Sequence, residues 1–384
     1  MGQKQRPTSA DGLNLPVLRA MIDAVDRDIL QLLARRSAIV GEIAQYKREH
    51  RIGIRDFERE RSILDDRRDR AARLGLSPEV VESMYRLVLW ASRDRQAELR
   101  AEMPLDIESR AVAVIGGRGA MGRMMGELFA DLSHTVMIAD VDTELTPRQA
   151  AAAADVVIVS VPIEQTESVI RDIGPHVRSG ALLADVTSTK SAPLAAMLDA
   201  TDADVLGMHP LFGPGVHSLQ GQRVVLTPGR GDEWLAWMKS MLAARGILTL
   251  ETTAERHDSA MAVVQVLVHF ATEVMGKTLA DLKVDIDETL TFTSPIYLME
   301  MLMTARHFGQ SPDLYANIQM ANPKTDEVTA AFVAAADRLR TAARDRDIDA
   351  YRSMFQEVKA LFGGFTDQAL EQSSFLIDRL VERG

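Results

Sequence analysis

Three glycines spaced Gly117-x-Gly119-x-x-Gly122 follow the apolar run Ala111-Val-Ala-Val-Ile115. Glycines at that spacing allow a tight turn after a strand and let a helix N-terminus approach a pyrophosphate. The pattern alone is weak, but Asp140 ends the next apolar run, 18 residues after Gly122. A carboxylate there would hold the hydroxyls of an adenosine ribose. Asp142 adds negative charge that would repel a 2′-phosphate, so the expected cofactor is NAD rather than NADP. Two further segments, Asp185-Val-Thr-Ser-Thr-Lys190 and Gly207-Met-His-Pro-Leu-Phe-Gly-Pro214, also end apolar runs. The proline and glycines around His209 make a rigid loop, and an imidazole held in one suits proton abstraction near neutral pH. A lone histidine is more often structural; its place in a cofactor fold favours a catalytic role.

A second constellation lies near the N-terminus. Arg36 falls on the helical face that carries Ile22, Val25, Ile29, Leu32 and Ile43, and Lys47 follows 11 residues later on the same face. A buried guanidinium is costly unless an anion meets it. Two cations on an apolar stripe therefore point to an anion site. Arg59 and Glu60 open a second helix, and Ser92 and Gln96 lie four apart on a third.

The elements that must position these residues divide the chain. Residues 1–14 read as a disordered polar tail. Residues 15–105 show no strand-like alternation and form three helices, about Leu15–His50 (with Asn14 as cap), Asp56–Leu74 and Ser77 to about Ala101. The first would be about 50 Å long and cannot close a core without a partner chain. From 106 to 252, strands at Ala111–Ile115, Thr135–Ala139, Val156–Val161, Leu182–Asp185, Val205–Gly207, Arg223–Leu226 and Ile247–Leu250 alternate with helices, a doubly wound α/β pattern. Residues 253–384 are helical, with a long apolar run around Met261–Leu279. The expected fold class is thus multidomain: an all-α N-terminal unit, an α/β Rossmann-like dinucleotide-binding domain and an all-α C-terminal domain.

Composition narrows the classes. The 384-residue chain is 46% apolar and 26% charged, with no cysteine, which removes disulfides, thiolate metal sites and a cysteine nucleophile. Residues 1–105 hold 20 Lys+Arg against 17 Asp+Glu, and the rest 24 against 38. The acidic body argues against nucleic acid, while the mildly basic N-terminal unit suits a small dianion. No run of about 18 uninterrupted apolar residues suggests a membrane span. No metal-ligand cluster is visible. Cytoplasm is the expected location.

Over residues 108–384 the chain resembles the prephenate dehydrogenase family. The resemblance rests on the dinucleotide loop, Ser188-x-Lys190 after a strand-end Asp, His209-Pro-x-Phe-Gly-Pro214, Glu255-Arg-His257-Asp258, His269-Phe and Thr293-Ser-Pro-Ile-Tyr297. It implies NAD contacts from Gly117, Gly119, Met121, Gly122, Asp140, Ser160 and Lys190. It also implies that His209 takes the proton of the substrate's ring hydroxyl and that Ser188 hydrogen-bonds both that hydroxyl and His209. Arg306 would bind a substrate carboxylate, and His257 and His269 would flank the pocket. One departure accompanies it: enteric relatives carry a second arginine where this chain has Leu298, which leaves arogenate as an alternative substrate.

Residues 15–100 resemble the all-helical chorismate mutases fused to the enzymes that follow them. Arg19, Arg36, Lys47, Asp56, Arg59, Glu60, Ser92 and Gln96 match that family's pocket. The resemblance implies that the arginines hold two carboxylates, Lys47 and Gln96 face the ether oxygen, and Glu60 with Asp56 face the ring hydroxyl. A pericyclic rearrangement needs no nucleophile, only a gripped conformer and stabilisation of charge on the ether oxygen. Together the two resemblances imply a bifunctional chorismate mutase/prephenate dehydrogenase of tyrosine synthesis. Its partners would be chorismate, prephenate, tyrosine as feedback inhibitor and a second copy of the chain in a homodimer. Two other readings compete: a prephenate or arogenate dehydrogenase with a non-catalytic helical dimerisation or regulatory module, and a non-catalytic NAD-sensing regulator.

Overall fold

A computed structural model describes residues 14–50, 52–99 and 108–381. Residues 1–13 of the expected polar tail and the expected boundary at residue 105 lie outside the described residues. Three helices come first: α1 (Leu15–His50), α2 (Phe57–Leu74) and α3 (Pro78–Glu98). Asn14 caps α1 by accepting from the Val17 amide at 3.1 Å, as anticipated. Asp56 accepts from the Arg59 amide at 2.9 Å to cap α2, and Gly75, at φ 73°, ends it. Only the C-terminal half of α1 is covered, at Val40 and Ala44. Leu18, Ile22, Val25 and Ile29 are exposed apolar side chains on its N-terminal half. An uncovered apolar stripe of this kind is a face that another helix can bury.

The central domain is a seven-stranded sheet in the order β2-β1-β3-β4-β5-β6-β7. Its strands are β1 (Ala111–Ile115), β2 (Thr135–Ala139), β3 (Val156–Val159), β4 (Leu182–Asp185), β5 (Asp204–Pro210), β6 (Arg223–Arg230) and β7 (Leu248–Glu251). The first five run parallel; β6 is antiparallel to β5, and β7 parallel to β6. Helices α4 (Ala120–Asp131), α5 (Pro147–Ala153), α6 (Ile163–Ile173), α7 (Ser191–Ala200) and α8 (Asp232–Ala244) cover both faces. One face buries Val112, Leu128, Phe129 and Leu226, the other Ile115, Val157, Ile170 and Leu183. Each such side chain contributes about 1.5–3 kcal/mol by leaving water. Strands covered on both faces read as unbroken apolar runs, which is why they stood out in the sequence.

Register decides where chemistry can occur. Ile115 pairs with Ala139 and with Val159, Val159 pairs with Asp185, and Asp185 with Gly207. The segments that follow, beginning at Gly116, Asp140, Ser160, Val186 and Met208, therefore emerge along one edge of the sheet. Open α/β sheets bind ligands there.

The chain then turns helical: α9 (Ala254–Met261), a π-helical turn over Ala262–Leu267, α10 (Val268–Asp281), α11 (Ile286–Thr291), α12 (Pro295–Phe308), α13 (Pro312–Ala321), α14 (Thr325–Asp345), α15 (Ile348–Phe362) and α16 (Phe365–Val381). The continuous stretch Ala254–Asp281 is long and apolar enough to cross a membrane by length and composition, although no uninterrupted apolar run marks it. Its inner side carries His257, Asp258 and Gln265, polar groups committed to the site described next. An apolar cavity of about 1270 Å³ lies among α10, α12 and α13, away from the sheet edge.

Candidate active sites

At the sheet edge, Gly116 adopts φ 79°, and a Cβ there would sit 2.3 Å from the Ser160 carbonyl oxygen. A Cβ on Gly122 would lie 2.3 Å from the Gly116 oxygen. Both positions admit only glycine, and Gly116 was not singled out by the sequence pattern. Gly119 is the N-cap of α4 and offers no side-chain cap, so the first amides of α4 are open to an anion. The Asp140 carboxylate accepts from the Arg118 amide at 2.9 Å and the Val141 amide at 2.8 Å. Those bonds orient it and leave lone pairs for a diol. The Arg118 side chain pairs with Asp142. Met121 and Ser160 are half-buried beside the loop. These residues fit a dinucleotide.

Lys190 does not join them. Its side chain is fully buried, with Nζ paired to Asp185 and donating to the Met208 carbonyl at 2.8 Å. Burial lowers its pKa, and the adjacent Asp185 carboxylate opposes that effect. Through these two bonds Lys190 braces β4 against β5, and its side chain presents no exposed atom at the sheet edge. A cation after a strand end reads as a ligand in sequence, because burial on both sides is a tertiary fact.

His209 is 3% exposed and enters a chain of hydrogen bonds. Its Nδ1 lies 2.8 Å from His257 Nε2, and His257 Nδ1 lies 2.8 Å from Asp258 Oδ1. Asp258 also accepts from the Lys190 amide at 2.8 Å and the Ser191 amide at 2.9 Å. Burial alone would raise the Asp258 pKa; the bonds from His257, Ser191 and Lys190 outweigh it and bring it to about 2. An ionised carboxylate only accepts, so His257 donates through Nδ1 and, in its neutral form, accepts at Nε2. His209 then carries its proton on Nδ1 and presents a lone pair at Nε2. Burial, then His257 and Lys190, hold the His209 pKa well below its usual value, which keeps that lone pair available.

Gln265 Nε2 lies 3.3 Å from His209 Nε2, and its Oε1 is buried without a hydrogen-bond partner among the described residues. The π-helical turn aims this side chain at His209; π turns often mark functional sites, and helical periodicity in the sequence gave no sign of this one. The hydrogen bond expected between Ser188 and His209 is not formed, since His257 and Gln265 take both ring nitrogens. His257, expected as a pocket wall, is instead the relay's central member. His269, four residues after Gln265, packs against Tyr315 and His307 at centroid distances of 4.8 and 5.4 Å. Its pKa is lowered by burial and by His307, and its Nδ1 is buried without a hydrogen-bond partner among the described residues. Arg306 is exposed, on the last turn of α12, with no side-chain partner among the described residues.

In the helical unit, α1 and α3 bring the Arg36 guanidinium onto the Ser92 hydroxyl and, at 3.5 Å, the Val88 carbonyl. Burial lowers the Arg36 pKa, Tyr85 opposes it and Arg67 adds to it, so an arriving anion would relieve the strain on this cation. Lys47 Nζ donates to the Gly53 and Ile54 carbonyls at 2.9 and 2.6 Å. Gln96 is buried, with one N–H on the Ser92 carbonyl at 3.1 Å and Oε1 unpartnered among the described residues. Glu60 accepts from Arg93 at 2.6 Å, a partner the sequence reading overlooked. Asp56 spends one oxygen capping α2. Arg19 and Arg59 are exposed and make no ion pair among the described residues. Arg19 stands apart from the others, near the far end of α1.

Comparison with known proteins covers both sites. Residues 18–97 match the family Chorismate mutase type II, residues 122–249 the nucleotide-binding domain of prephenate dehydrogenase, and residues 253–357 its dimerization domain. The T-protein of Enterobacter agglomerans is 34% identical over 363 residues, 94% of this chain and 97% of that protein. The T-protein of Haemophilus influenzae is 31% identical over 362 residues, 94% and 96% of the two chains. Among solved structures, prephenate dehydrogenase from A. aeolicus in complex with hydroxyphenyl propionate and NAD+ superposes with a TM-score of 0.53 at 18% identity. It covers 66% of this chain and 98% of that one. At that identity the likeness speaks for the fold alone.

Proposed function

The chain belongs to the T-protein family of bifunctional chorismate mutase/prephenate dehydrogenases, and we propose how its residues divide the two reactions. It rearranges chorismate to prephenate, then oxidises and decarboxylates prephenate to 4-hydroxyphenylpyruvate with NAD. The observation that carries the dehydrogenase assignment is the Asp258–His257–His209 relay. The substrate's ring hydroxyl docks at His209 Nε2, displacing the Gln265 amide. His209 accepts the hydroxyl proton as the C–H bond breaks, and Ser188 steadies the same oxygen. NAD, when bound, supplies the hydride acceptor. Loss of the neighbouring carboxylate as CO2 makes the ring aromatic. Arg306 binds a substrate carboxylate, and His269 borders the pocket.

In the mutase site, Arg36, Arg59 and Arg19 hold the two carboxylates. Lys47 and the free N–H of Gln96 stabilise charge growing on the ether oxygen, and Glu60, with Asp56, takes the ring hydroxyl. Ser92 holds Arg36 in place. Gln96 is neutral, so this contact does not require acid conditions. The dimer is a homodimer joined through both helical regions, the cell compartment is the cytoplasm, and tyrosine is the feedback inhibitor.

One assay tests the whole reading: NADH formation should follow addition of chorismate alone with NAD. A signal with prephenate but none with chorismate would leave a dehydrogenase with an inert helical module. Cofactor choice gives a separate expectation. NAD should exceed NADP in kcat/KM because Asp140 meets the extra phosphate, and Asp140→Ala should narrow the gap by weakening NAD use. Equal values for the two cofactors in the unaltered enzyme would remove Asp140 from this role.

A further inference from the structure

Arg93 follows Ser92 on α3 and reaches across to α2, where Nη1 donates to Glu60 Oε1 at 2.6 Å. The two side chains are 16% and 19% exposed, so this is not an open surface pair. The other carboxylate oxygen, Oε2, makes a looser ion pair with Arg55 Nε at 3.8 Å, beyond hydrogen-bond reach. One oxygen of Glu60 is therefore held and the other keeps its lone pairs.

We propose that Arg93 is a positioning residue of the mutase site, fixing Glu60 so that Oε2 meets the ring hydroxyl of chorismate. Two physical needs favour it. A glutamate has three side-chain torsions, and a hydroxyl donor is recognised only if the acceptor stays where the donor will arrive. A bare carboxylate would also repel the incoming dianion, and the adjoining guanidinium offsets that charge. A planar guanidinium suits both tasks better than an ammonium, since it holds a fixed geometry. The hydroxyl contact exists in substrate and transition state alike, so Arg93 acts on binding more than on turnover.

This inference rests on the assignment of Glu60 to the mutase site, and a double-mutant cycle in the full-length enzyme separates the two. Arg93→Met should raise KM for chorismate about tenfold and change kcat by less than about threefold, with Arg93→Lys recovering part of the loss. In a Glu60→Gln background the same Arg93→Met change should alter KM by less than about twofold, because its route of action is gone. Prephenate oxidation by the same preparations reports folding and should be unchanged. An equal KM change in both backgrounds, or none in the first, overturns the inference. Normal mutase kinetics in Glu60→Gln alone overturns the site assignment beneath it. If Arg93→Met also impairs the dehydrogenase, Arg93→Gln, which keeps an N–H donor, decides by the same cycle.

Discussion

His209→Asn should lower dehydrogenase kcat by about two to four orders of magnitude, the range expected for loss of a general base. The substitution isolates the proton transfer. An asparagine amide can still donate to His257 Nε2, so the relay below it stays occupied, but no lone pair of useful basicity remains where Nε2 stood. Mutase turnover should be untouched, because its residues lie on α1, α2 and α3. The pH dependence has a definite sign. The neutral imidazole is the working form, and burial with His257 and Lys190 nearby holds its pKa well below the usual value. Dehydrogenase kcat/KM should thus stay level as pH falls from neutrality through the ordinary histidine range, and drop only in more acid solution. Near-normal oxidation by His209→Asn, or a fall in kcat/KM centred on the ordinary histidine pKa, would remove His209 as the buried base.

Much of this arrangement was legible in the sequence. Strands β1, β2 and β4 have the expected bounds, because sheets covered on both faces impose unbroken apolar runs that end where the chain reaches the edge. The helix α1 also matches, since one apolar stripe and a capping Asn14 define it without tertiary help. Strands β5 and β6 run longer than their apolar cores suggest, through Pro210 and Arg230, because their antiparallel pairing extends the ladder over residues of any polarity. The groups proposed for the chemistry stand out in the sequence where a residue type carries its own chemistry, as at His209 and Asp140. It was not where function arises from packing. Gln265 depends on a π turn, Arg93 on a reach between two helices, and the role of Lys190 on being sealed beneath Gly207 and Met208. Periodicity encodes which face a residue takes, and says little about which partner waits there.

Assembly yields the other large effect. Arg19 and Lys47 lie on one unbroken helix, 28 residues apart, hence about 42 Å at 1.5 Å per residue. A ligand about 10 Å long cannot touch both within one protomer, even through long side chains. Arg36, Ser92, Gln96 and Lys47 sit around the C-terminal half of α1, whereas Arg19 projects from a half whose Leu18, Ile22, Val25 and Ile29 are uncovered. An antiparallel α1 from a second copy would cover that stripe and carry its Arg19 to the distant pocket. Arg19→Ala and Lys47→Ala homodimers should each lose about two orders of magnitude or more of mutase activity, since each removes a charged contact from every site. Dissociating and mixing them equally should restore about a quarter of the wild-type activity. Half of random dimers are mixed, and each has one pocket that collects both intact residues. Dehydrogenase activity, measured throughout, reports that the chains stay folded. If verified heterodimers recover no mutase activity, each pocket is built within a single chain and Arg19 is a surface charge.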